Sequence, residues 1–78
     1  MDIAWIDGYE IKESVENGAA VISANREGLL SLAAQLTALA NAEIGTHIHY
    51  DEYNSLEDGS TELIIEKTGE IGDKRNDE

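Results

Sequence analysis

The chain has 78 residues and no cysteine, and its 17 acidic residues against five basic ones give a formal net charge of -12. That length admits one domain with a thin core and no disulfide staple. The charge repels DNA, RNA and anionic membranes; it either draws a basic partner or only keeps the protein in solution. The most apolar stretch, residues 29–42, is interrupted by Ser31, Gln35, Thr37 and Asn41, too short and too polar for a bilayer span. Met1-Asp2 opens on no basic or apolar leader, so cytoplasmic residence is expected.

Ile3, Trp5 and Ile6 either begin a first strand, with Asp7-Gly8 as a kink or bulge, or form a short strand of their own. Apolar residues then alternate through Tyr9, Ile11 and Val15 and again through Ala20, Ile22 and Ala24. Between these runs lies Asn17-Gly18, which readily takes the two positive φ angles of a type I′ turn. A two-residue turn there pairs Val15 with Ala20, Glu13 with Ile22 and Ile11 with Ala24, on one largely apolar face. In so small a protein Trp5 is expected in the core.

The middle of the chain predicts a helix. Leu29, Leu32, Ala33, Leu36, Leu39 and Ala40 recur at three- and four-residue steps and read as one apolar stripe. Asn25 is a suitable N-cap, Glu27 complements the dipole, and Asn41 and Gly45 mark the stop. Two more strands are expected at residues 46–50 and 61–67, with Thr46, Ile48, Tyr50, Leu63 and Ile65 facing the helix. The fold class is thus α+β in the order β-β-α-β-β, a single helix packed on a four-stranded, mostly antiparallel sheet. Residues 1–68 form the domain in this reading, and 69–78 a flexible acidic tail with Ile71 its lone apolar residue.

Two constellations bear on function. His47 and His49 flank Ile48, so both imidazoles project from one side of a strand, and Asp51 follows. His47, His49 and Asp51 are candidate metal ligands, with Glu62 or Glu66 supplying a carboxylate if the last strand pairs alongside. A His-x-His pair alone is a weak signal. The simpler reading puts the histidines on the solvent side, and no metal or other cofactor is expected. Nucleophile elbows and phosphate-binding glycine loops are absent from the sequence, which speaks against an enzyme.

The second constellation is residues 51–58, with Asp51, Glu52, Glu57 and Asp58, one tyrosine (Tyr53), one leucine (Leu56) and no basic residue. It reads either as a binding loop, with tyrosine as the anchor, or as a solvated loop with Leu56 tucked into the core. Residues 1–16, with Asp2, Asp7, Glu10, Glu13 and Glu16 relieved by Lys12, form another acidic stretch. Each of the two carries a net -4.

Glu27-Gly28-Leu29-Leu30-Ser31-Leu32-Ala33 and Gly45-Thr46-His47-Ile48-His49-Tyr50-Asp51-Glu52-Tyr53 resemble segments of the immunity protein 32 family of bacterial polymorphic toxin systems. Leu56-Glu57-Asp58-Gly59-Ser60 and Glu62-Leu63-Ile64-Ile65 extend the resemblance, which covers about residues 23–67. It implies an antitoxin that neutralises a cognate toxin domain by tight binding. Many such toxins are nucleases with basic grooves, which an acidic surface can fill in place of nucleic acid. The residues expected to meet the toxin are Asp51, Glu52, Tyr53, Glu57 and Asp58, with His47 and His49. The alternatives are a metal-binding module or small metal-dependent enzyme using His47 and His49, and a structural homo-oligomer, such as a homodimer, paired through the open sheet face or a sheet edge.

Overall fold

The computed structural model describes residues 3–70. Its elements are β1 (Ile11–Glu16), β2 (Ala19–Ala24), α1 (Arg26–Ala40), β3 (His47–Tyr50) and β4 (Leu63–Glu66). The order β-β-α-β-β and the α+β class are as the sequence predicts. Of the expected tail, residues 71–78 lie outside the described residues, as do Met1 and Asp2.

The first hairpin follows from local chemistry. Asn17 and Gly18 have φ of 53° and 82°, the two positive angles that a type I′ turn requires. The register is the expected one, with Ile11 opposite Ala24, Glu13 opposite Ile22 and Val15 opposite Ala20. The shared face is less apolar in its placement than its composition suggests. Ile11 is buried, Val15 and Ile22 are exposed towards the tip, and the Glu13 side chain lies buried between those positions.

The expected four-stranded sheet is not formed. β1 and β2 make one antiparallel pair, and β3 and β4 another. The interruption lies in residues 57–61. Glu57 N donates to Ile11 O and Thr61 N to Glu13 O, so this segment does run along β1. Between those contacts the chain turns, with Ser60 N donating to Glu57 O and Gly59 at φ 88°. The Ser60 hydroxyl, rather than a main-chain carbonyl, accepts from Glu13 N. A ladder needs successive backbone partners at the strand repeat, and a turn in one strand removes them.

Residues 3–10 form neither of the strands expected around Ile3, Trp5 and Ile6. A turn closes at Asp7-Gly8, where Tyr9 N donates to Ile6 O. The segment lies along the helix instead, with Ile6 N donating to Ser31 Oγ and Gln35 Nε2 donating to Ala4 O. Those contacts satisfy backbone groups that a sheet would otherwise have paired.

Helix α1 is capped as predicted. Asn25 accepts from Gly28 N through its side chain, and the same oxygen accepts from Glu10 N. The buried face is rotated from the predicted stripe. Gly28, Ser31, Leu32, Gln35 and Leu39 are buried, whereas Leu29, Ala33, Leu36 and Ala40 are exposed. The reason is steric and polar. A Cβ at Gly28 would stand 2.6 Å from Glu10 O and 2.9 Å from Ile11, so the helix approaches β1 where it has no side chain. Ser31 and Gln35 then meet the polar backbone of residues 4–6. At the other end Lys67 Nζ donates to Ala40 O and Ala42 O, satisfying terminal carbonyls and opposing the negative end of the dipole.

The core is Ile11, Leu32, Leu39, Ile48, Tyr50 and Leu56, with Trp5, Tyr9, Ala24, Leu63 and Ile65 packed against it. Trp5, expected in the core, packs half-buried against it, stacked on Tyr9 at 4.3 Å and edge-on to Tyr50 at 6.2 Å. The Tyr50 hydroxyl donates to Gln35 Oε1 at 2.8 Å, and burial raises its pKa above the ordinary phenol value. No helix among the described residues is long and apolar enough to cross a membrane.

Candidate functional site

The acidic loop at residues 51–58 is tightly bonded to its own scaffold. Asp51 Oδ1 accepts from Tyr53 N and Asn54 N, both at 3.0 Å, and Asp51 O accepts from Ser55 N and Leu56 N. The Asn54 side chain closes the turn, accepting from Asp51 N and donating to His49 O. Across the loop, Glu52 Oε2 accepts from Gly59 N at 2.6 Å. Below it, Leu56 is buried in the core and Glu57 N is bonded to β1. The expected placement of Leu56 in the core is observed. Leu56 is tucked in, and Tyr53 is 94% exposed.

The four loop carboxylates divide into two classes. Asp51 and Glu52 hold backbone N–H groups, whereas Glu57 and Asp58 are exposed and make no side-chain hydrogen bond or ion pair among the described residues. Only a tertiary map of donors reveals this division. Glu57 also borders an open groove of about 340 Å³ beside the start of β1, which Glu10 and Lys12 line from the other side.

The histidines lie on the outer face of the β3–β4 pair, as alternation predicts. Ile48 and Tyr50 are buried, and His47 and His49 are exposed. Register sets His47 opposite Glu66 and His49 opposite Ile64. The two histidines differ in their neighbours. His49 Nε2 is 3.9 Å from Asp51 Oδ2 and 3.8 Å from Glu62 Oε2, while His47 belongs to no such group. Of the expected ligand set, the structure gathers His49, Asp51 and Glu62 and leaves His47 and Glu66 outside.

Glu13, which the hairpin register sets on the largely apolar face, is buried there. The residue is 2% exposed, and its Oε1 has no hydrogen-bond partner among the described residues. The alternation of the strand carried a signal, since Glu13 shares its face with Ile11.

Comparison with curated proteins and with solved structures finds no match. The profile of one family, Immunity protein 32, matches residues 20–68. The matched span runs from β2 through the helix, the histidine strand and the acidic loop to just beyond β4. The chain belongs to the Immunity protein 32 family.

Proposed function

We propose that this protein is an antitoxin that neutralises a cognate toxin domain in the cytoplasm by direct binding, without catalysis. The observation that carries the reading is Tyr53, an almost fully exposed aromatic on a loop whose backbone is already bonded in place. An exposed large side chain on a preorganised loop loses little further entropy on binding, and tyrosine is a favoured anchor at interfaces. The Glu57 and Asp58 carboxylates of the same loop, exposed and without internal partners among the described residues, supply attraction for a basic surface. A toxin groove shaped for nucleic acid fits these requirements, and the acidic loop would then exclude the toxin's substrate. Asp51 and Glu52 serve this reading indirectly, by holding the loop, and His49 by lying beside it.

The test pairs this protein with the toxin domain encoded beside it and measures both affinity and relief of toxicity. Tyr53→Ala is expected to weaken binding by about 2 kcal/mol, in the range of an interface hot spot. Glu57→Gln with Asp58→Asn is expected to slow association and flatten its salt dependence while leaving dissociation nearly unchanged. Wild-type affinity in the Tyr53→Ala variant would exclude this loop as the binding surface.

A further inference from the structure

We propose that His49, Asp51 and Glu62 form a site for a divalent transition-metal ion of the zinc class, with one coordination position left open. One ligand atom from each residue lies within 4.8 Å of the others, and the two distances from His49 Nε2 are 3.9 and 3.8 Å. Both are too long for hydrogen bonds. Two donors bound at zinc distances stand roughly 3.4 Å apart in a tetrahedron, so seating the ion requires Asp51 and Glu62 each to close on His49 by about 0.5 Å and on one another. One imidazole nitrogen with two carboxylate oxygens is a borderline donor set, which suits zinc better than magnesium with its octahedral, largely water-filled shell.

The backbone supports the arrangement. Continuing the β3–β4 register by one residue sets Asp51 opposite Glu62, which places two carboxylates across from each other. Like charges in that position are unfavourable, and a cation bound between them would offset the repulsion. Asp51 is oriented by its other oxygen, because Oδ1 is held by Tyr53 N and Asn54 N while Oδ2 faces His49. Asn54 Nδ2 bonded to His49 O fixes the strand end that carries the imidazole. Three protein ligands leave the fourth position for water or for a donor from another molecule.

The experiment titrates zinc alone into the full chain by calorimetry at physiological salt, with the histidine ring resonances followed by NMR. It needs no toxin, so its outcome is separate from that of the binding reading. One equivalent of zinc is expected, shifting the His49 ring and leaving that of His47 in place. His49→Ala and Glu62→Gln should each weaken binding at least about tenfold, no less than the loss of an outer-shell partner costs at a metal site. His47→Ala should bind like the wild type. His49 and Glu62 both face solvent, and circular dichroism checks that each variant folds. Several weak equivalents indifferent to His49→Ala, or no binding at millimolar zinc, would overturn the proposal. So would a loss on His47→Ala equal to that on His49→Ala.

Discussion

Residues 1–16 and residues 51–58 carry the same net charge of -4, and the fold puts the charge to different use in each. In the first stretch the described carboxylates are dispersed. Asp7 sits in a turn, Glu10 lines a groove, Glu13 is buried without a partner for one oxygen, and Glu16 accepts from the Ser14 hydroxyl. In the second, Asp51 and Glu52 accept backbone N–H groups and build the loop on which Glu57 and Asp58 are displayed. Net charge along a segment therefore says little about the charge a partner meets. What matters is which carboxylates the chain has already spent on its own donors.

The comparison is broken most severely by removing the loop's anchor. Leu56→Ala leaves a cavity in a core of few buried side chains and is expected to cost about 2–4 kcal/mol by urea denaturation. It should free Tyr53 and Glu57 from their scaffold along with the rest of the loop. Next come the two carboxylate classes within the loop. Asp51→Ala removes an acceptor of two backbone N–H groups and is expected to cost about 2 kcal/mol, whereas Asp58→Asn should stay within about 0.5 kcal/mol of wild type. Equal effects from these two substitutions would erase the distinction between building and displayed acids.

The smallest expected effect has the opposite sign. Glu13→Met replaces a buried acid, one oxygen of which lacks a partner, by an apolar side chain of similar length. It is expected to raise stability by about 1 kcal/mol, read as an increased denaturation midpoint. A loss of stability would mean that the Glu13 carboxyl is solvated or paired in solution. Opposite signs for Glu13→Met and Asp51→Ala would state the difference between the two acidic stretches as measured energies.

Where the controlling interactions are local, the sequence is a sufficient guide. Asn17-Gly18 sets the first turn, its two-residue length sets the register, and Asn25 caps the helix with its own side chain. Alternation around Ile48 likewise places His47 and His49 on the outer face. The family is legible too, since the resemblance read over about residues 23–67 agrees with the profile match at 20–68.

Tertiary structure alone decided the rest. The helix buries Gly28, Ser31 and Gln35 in preference to Leu29 and Leu36, because a missing side chain admits β1 and two polar ones satisfy the backbone of residues 4–6. The four strands remain two pairs because a turn at residues 57–60 breaks the ladder that would join them. Sequence singled out the acidic loop, but which of its carboxylates are bonded within the protein depends on donors contributed across the loop, such as Gly59 N. It named both histidines, yet of the two only His49 lies between two carboxylates among the described residues, because Glu62, two residues from its register partner Ile64, reaches it. A pattern of residue types determines the elements and the turns between them. Contacts between residues distant in the chain determine which faces meet, and so which charges remain free.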